Sequence, residues 1–340
     1  MKGWVVVRTL LIGCTGGAVA AWFNLPVAWM LGSLAAAIVA SLCSVQMFIP
    51  RPFHKLSRGV VGILVGSSIT AETLSRAHLW PATIELLLIG MLLICVTSAL
   101  YYRYVAGFDR LTAVSAALPG ALATIPMLAI QLGANSRQVV LPHLFRITLV
   151  ILLVPPLFSF WQGVDLTGSA GSNDSVDWQG TQLWVLLAGI PVWYIGSRIR
   201  LPIPEFIGPM LASAILSALG YSIELPIWLF AITFIILGSS IGAQFYGMSM
   251  RMLVGTGGHA LMGTLLTFLV TLLSGFSIYW ITDVPLPVAI LATVPGGIAE
   301  MAILAAAMGI DPVFVTAHQI VRSVLLNASA PFLLQWFRKK

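Results

Sequence analysis

Twelve apolar segments follow one another along this chain, six in each half. They lie near 3–23, 25–44, 56–73, 79–102, 111–133 and 138–161, then near 181–199, 201–220, 225–245, 253–281, 286–309 and 313–337. A helix needs about 20 apolar residues to cross a hydrocarbon core ~30 Å thick. Only 8% of the 340 residues are charged and 59% are hydrophobic, against about 25% charged in a soluble domain. There is too little polar material to coat a water-facing globule, so an all-α polytopic membrane protein is expected. The net charge of +6 is spread singly or in twos and threes between apolar runs. That is how membrane topology is encoded, not how a nucleic-acid patch is built.

The segments form two copies of one design. "LPVAWMLGSLAAAIVASL" (25–42) aligns with "LPIPEFIGPMLASAILSAL" (201–219), and "LVGSS" (64–68) with "LGSS" (237–240). Pro119-Gly120 aligns with Pro295-Gly296, Gly133 with Gly309, Asn135 with Asp311, Arg146 with Arg322 and Pro155 with Pro331. Most pairs share one offset, since 202 − 26 and 322 − 146 both give 176. The expected organisation is a first repeat over 1–161, a Gly/Ser/Asp-rich solvated linker over 162–180 and a second repeat over 181–340. The start, "MKGWVVVRTLLIGCTGGAVA", imitates a signal peptide. Arg8 interrupts its apolar run and the segment has a later counterpart, so it reads as a retained first span. Cys14, Cys43 and Cys95 lack metal spacing and read as small buried hydrophobes.

Topology decides the symmetry. Pro-Gly interrupts the fifth segment of each half. Two models compete: twelve full spans with parallel halves, or five spans per half plus a re-entrant hairpin, which inverts the second half. With the N-terminus inside, the twelve-span model puts Arg76, Arg137, Arg198, Arg200 and Arg251 outside and the acidic linker inside. In the ten-span model only Arg76 falls outside. Arg51, Lys55, Arg58, Arg103, Arg110, Arg137, Arg198, Arg200, Arg251 and Arg338-Lys339-Lys340 then fall inside and the linker outside. The positive-inside rule favours ten spans and inverted repeats. Length permits both models, since arms over 111–118 and 121–133 would reach roughly 12 and 20 Å at 1.5 Å per residue. Broken segments meeting near the midplane are a layout of secondary transporters.

The residues that carry chemistry cluster at the breaks. Pro119, Gly120, Pro295, Gly296 and Gly297 would form the tips, since Pro suits a helix start and Gly lets a ligand approach. Arg146 and Arg322 lie inside apolar spans, where an unpaired Arg costs at least ~2.5 kcal/mol. They form either an anion-binding or gating pair, or clamps on the carbonyls of their own hairpins. Glu300 follows the second break, with Thr124 at the matching place in the first half. It is a candidate proton or cation carrier, or else a fixed partner of Arg322 or His318. His318 shares a helix face with Arg322, and His143 with Arg146, which suggests a polar lining. Glu85, Glu205 and His259 read as locally hydrogen-bonded or snorkelling. No nucleophile elbow, phosphate loop, zinc spacing, paired carboxylates or soluble DNA-binding module occurs, so neither enzyme chemistry nor a cofactor, metal or direct nucleic-acid partner is expected.

At "LPGALATIPMLAIQLGAN" with Arg146, at "VPGGIAEMAILAAAMGID" with Arg322, and at the "LP…G…A" segments from Leu25 and Leu201, the chain resembles the membrane AbrB family, defined by this duplication. The resemblance covers nearly the whole chain. The first copy departs from the pattern at Ala121 and at Thr124, which stands in place of the acid. The resemblance implies the labels regulator of gene expression or ammonia monooxygenase, yet no metal or flavin site supports the second. The residues favour a bacterial inner-membrane secondary transporter, with both termini cytoplasmic and the linker periplasmic. Its partners would be the bilayer, a small solute or ion, and a second copy of the chain. The alternative is a membrane sensor that acts on gene expression indirectly.

Overall fold

The computed structural model describes residues 2–70, 75–120, 124–162, 184–199, 201, 203–221, 223 and 225–338. The expected linker, from residue 163 on, lies outside them, as do Ala121, Arg200, Lys339 and Lys340. Among the described residues there are helices and connections but no strand.

The helices of the first half are α1 (Lys2–Trp22), α2 (Ala28–Leu42), α3 (Arg51–Ser67), α4 (Trp80–Leu100), α5 (Arg110–Ala117), α6 (Thr124–Gln131) and α7 (Ser136–Gln162). Those of the second are α8 (Trp184–Arg198), α9 (Pro204–Ala218), α10 (Ile227–Gly242), α11 (Met250–Thr282), α12 (Leu286–Thr293), α13 (Ile298–Ala307) and α14 (Pro312–Arg338). Among the described residues, six helical stretches, from Gly3–Trp22 to Pro312–Arg338, are long and apolar enough to cross a membrane. The chain is a multi-pass helical membrane protein.

The two halves repeat in backbone detail. Helices α2 and α9, α3 and α10, α5 and α12, and α7 and α14 each start 176 positions apart. Left-handed residues recur at the same offset: Val27 (φ 50°) with Ile203 (47°), Ser44 (63°) with Gly220 (89°), Gly107 (72°) with Asp283 (55°), and Gly133 (102°) with Gly309 (65°). A β-branched residue in that region is strained, so Val27 and Ile203 carry one duplicated strain at one duplicated helix entry.

Two compact units emerge, and neither is a sequence half. Unit 1 joins Met1–Ala77, Leu152–Gly247 and Ala299–Thr316, while unit 2 joins His78–Ile151, Met248–Ile298 and Ala317–Lys340. Unit 1 therefore holds the first three helices of each half.

Within unit 1, small residues let backbones touch, as in membrane helix packing. A Cβ on Gly62 or Gly66 of α3 would strike the carbonyls of Phe206 and Met210 on α9. A Cβ on Gly238 or Gly242 of α10 would strike those of Met30 and Leu34 on α2. These four contacts are one contact made twice, with the halves exchanging roles. They also fix direction, because residue numbers rise together along each pair: α3 runs parallel to α9, and α10 to α2. They correct the alignment of "LVGSS" with "LGSS", which is one helical turn out of register. Gly62 pairs with Gly238 and Gly66 with Gly242, so the shared Gly-Ser-Ser letters misled.

Three further expectations change. The third segment begins at Arg51, not near 56, because Pro50 and Pro52 start a helix whose first turns carry the basic residues. Among the described residues the returning arm of the first break is helical over Thr124–Gln131 and turns at Leu132-Gly133, so that helix spans about 12 Å at 1.5 Å per residue. Cys14 and Cys43 are exposed and Cys95 half-buried, since an apolar thiol needs no burial where the outer face meets lipid.

Candidate functional site

Unit 2 contains both breaks. In the first, α5 ends at Ala117, the chain passes Leu118-Pro119-Gly120, and α6 begins at Thr124. The Asn135 amide after α6 donates to the Thr112 hydroxyl in the first turn of α5 at 3.0 Å. The two ends of the segment therefore lie side by side. The second break runs Val294-Pro295-Gly296-Gly297 between α12 and α13.

Each break exposes carbonyls that no helix satisfies, and one arginine meets them. Arg322 Nη1 donates to Val294 O at 2.9 Å and its Nη2 to Gly296 O at 2.8 Å. Arg146 donates to Leu118 O and to Gly120 O, both at 3.4 Å. Leu118 and Val294 are repeat mates, as are Gly120 and Gly296, so the clamp is duplicated bond for bond. Both arginines are at least 96% buried, with 4% and 2% exposure. Among the described residues their Nε atoms have no hydrogen-bond partner, and neither forms an ion pair. The planar fork suits two carbonyls spaced along one strand of backbone. This is the clamp arrangement, one of the two that the sequence left open.

The helix carrying Arg322 ties both breaks together. Leu326, Ala330 and Leu334 of α14 share a core cluster with Leu111, Leu118, Ile125 and Ala129 of the first broken segment. Asn135 and Asp311 stand at the heads of α7 and α14. Their side chains accept from Arg137 N and Gln138 N, and from Val313 N and Phe314 N. They are duplicated N-caps.

Gln319 was missed. Its Nε2 donates to Leu291 O at 3.1 Å, Ala292 O at 3.3 Å and Val294 O at 2.9 Å, and its Oε1 accepts from Arg322. It lies 176 positions after His143, so the repeat offset marks it. The shared face of His318 and Arg322 drew attention to the wrong neighbour. His318 Nε2 instead lies 2.8 Å from the Thr83 hydroxyl of α4. His143 Nδ1 lies 2.9 Å from Val139 O of its own helix.

A cavity of about 10 Å³ lies where the breaks converge, lined by Pro119, Pro295, Thr293 and Arg322 together with α4 and Ser274 of α11. That is the volume of a single water. The structure thus brings Pro119, Pro295 and Arg322 to one void, with Gly120 and Gly296 beside it as clamped residues. Thr124 opens α6, and Gly297 precedes α13. Glu300 lies in the first turn of α13, half-buried, in a stretch that belongs to unit 1. Its carboxylate takes no hydrogen bond or ion pair among the described residues. Two of the single polar residues expected to be locally satisfied instead bond to the other half: Glu205 pairs with Arg58 at 2.7 Å, and His259 Nδ1 lies 3.2 Å from the Tyr101 hydroxyl. Among the described residues no three His, Cys, Asp or Glu gather to hold a metal.

Fold and breaks define a duplicated, multi-pass helical membrane protein with two arginine-clamped interruptions. The chain matches the model of the family described as transition state regulatory protein AbrB over residues 29–338 and belongs to that family. It is 25% identical to an uncharacterized protein of Bacillus subtilis (strain 168), YhjN, over 95% of this chain and 90% of that one. It is also 25% identical to a protein of Escherichia coli (strain K12) that bears the name of a regulator, AbrB, over 90% of this chain and 89% of that one.

Proposed function

We propose that the protein is an inner-membrane secondary transporter of a small solute, with its site in unit 2 where the two Pro-Gly breaks converge. The carrying observation is that Pro119 and Pro295, from opposite halves, line one cavity together with Arg322. Interrupted helices at a shared midplane site expose backbone groups that a solute can use in place of water. At about 10 Å³ the cavity admits one water, so a solute requires the breaks to separate. Thr124, Gly120, Gly296 and Gly297 would line the widened site, with His143 and His318 behind it. Glu300, in unit 1, would carry a proton or cation, since it is an acid in an apolar helix and takes no hydrogen bond or ion pair among the described residues.

Halves of opposite orientation would fit this reading. Helices α2 and α3 are joined by only eight residues, 43–50, and short connections make consecutive spans antiparallel. Parallel halves would then set α3 against the direction of α9, the counterpart of α2. The observed parallel pairing of α3 with α9 fits halves of opposite orientation. Each broken segment would then be a re-entrant hairpin entering from its own face, with both termini cytoplasmic.

Purified protein in proteoliposomes would be screened for solute flux and, with the same solutes, for binding. Binding without flux would sink the transporter reading and favour the second one, a membrane sensor acting on gene expression indirectly. That alternative draws support from the regulator name of the Escherichia coli relative.

A further inference from the structure

A further groove is built wholly from unit 1. A groove of about 440 Å³ runs between α3, α8 and α9. Its α3 wall is the stripe Pro52, Lys55, Leu56, Gly59, Val60 and Ile63, one helix face about 16 Å long at 1.5 Å per residue. Leu187, Ile190 and Trp193 of α8 form the opposite wall, and Glu205 and Pro209 of α9 line the remainder.

The groove is graded from charge to oil. At one end the Lys55 ammonium stands 5.7 Å from the centre of the Trp193 ring, within cation–π range. Glu205 at the same end is matched by Arg58 at 2.7 Å, so it is neutralised there. Lys55 has no carboxylate partner among the described residues, and it is exposed. Arg51 and Arg198, also exposed, add positive charge at the same ends of α3 and α8. At the other end, Val60, Ile63 and Leu187 offer only hydrocarbon. Gly59 keeps the floor low: a Cβ there would meet only Glu205 O at 3.7 Å and Pro209 at 3.8 Å, ordinary contact distances.

A cation without a carboxylate partner among the described residues, beside a tryptophan near the end of α8 and at the mouth of an apolar channel, matches one kind of molecule. We infer that the groove holds an anionic phospholipid of the leaflet that faces the start of α3, its phosphate at Lys55 and one acyl chain along Gly59, Val60 and Ile63. Basic pockets between membrane helices take anionic headgroups in this way. A zwitterionic lipid brings its own ammonium against Lys55. A soluble phosphate leaves the apolar length of the groove unfilled.

The test is native mass spectrometry of the full-length protein in detergent, titrated with phosphatidylglycerol, phosphatidylcholine or soluble glycerol phosphate. Wild type should retain one phosphatidylglycerol strongly and neither of the others. Lys55→Gln should weaken retention roughly fivefold, the effect of one basic residue near an anionic surface. Gly59→Leu should abolish it, while exposed Arg137→Gln, which is not part of the groove, should leave retention within about twofold. Equal retention of phosphatidylcholine overturns the inference, as does full retention by Lys55→Gln. Glycerol phosphate binding as tightly as the lipid would make this a soluble-anion site and also overturn it. Melting of each variant in lipid-free detergent checks its fold. Should Gly59→Leu misfold, the exposed Lys55→Gln decides alone.

Discussion

Replacing Arg322 by Lys separates a clamp from a charge. The guanidinium holds two carbonyls at 2.9 and 2.8 Å. Hydrogen bonds involving a charged group are worth about 1.5–3 kcal/mol each, so losing both costs on the order of 3 kcal/mol. A lysine ammonium cannot reproduce the fork and reaches one carbonyl at best, which leaves a loss of about 1.5 kcal/mol. In the first half, both bonds from Arg146 are 3.4 Å long, beyond the usual 2.7–3.2 Å range. The same change there should cost about 0.5 kcal/mol. Equilibrium unfolding in mixed micelles would measure both variants beside wild type. Arg322→Lys should fall between wild type and Arg322→Ala, and below Arg146→Lys. Wild-type stability for Arg322→Lys would show that only the charge matters and would refute the clamp. So would a larger loss for Arg146→Lys.

Gln319→Leu should destabilise by about 1–2 kcal/mol. Together with Arg322→Ala it should cost less than the sum, because both side chains serve Val294 O; additive losses would deny that shared role. Gly62→Val and Gly238→Val should destabilise by similar amounts, about 1–3 kcal/mol each, since each drives a side chain into a carbonyl of the facing helix; paired melting curves that differ widely would break the reciprocal packing. A reporter fused after Arg137 should read cytoplasmic and one after Asp311 periplasmic. The same side for both would overturn the inversion. In proteoliposomes, Glu300→Gln should retain the fold by melting yet lose coupled flux; undiminished flux would remove it from the mechanism.

The sequence made the frame legible because the frame is periodic and duplicated. Apolar runs gave the helices, and Pro119-Gly120 and Pro295-Gly296 marked both interruptions. The repeat offset paired Arg146 with Arg322 before their bonds were seen. Contact partners were less legible. Gln319 is an ordinary polar residue in sequence, and its three carbonyl partners lie 25 to 28 positions upstream. Local spacing favoured His318, which turns to Thr83 instead. The exchange of partners between α3–α9 and α10–α2 was hidden for another reason. A glycine shows where backbones can touch but never which backbone arrives, and a one-turn slip in a Gly-Ser-Ser match is enough to conceal the pairing.

Duplication also shows where function and frame part company. The strained entries at Val27 and Ile203, the caps at Asn135 and Asp311, and the clamps at Arg146 and Arg322 are kept in both halves because each solves a backbone problem that both halves share. Elsewhere the copies diverge. Thr124 stands opposite Glu300, and His143 opposite Gln319. A structural acid would need its partner copied with it, and Glu300 has no partner among the described residues. On the proposed transporter reading, moving a solute against a gradient needs one group that changes charge, and at the repeat position shared by Thr124 and Glu300 only the second half carries an acid.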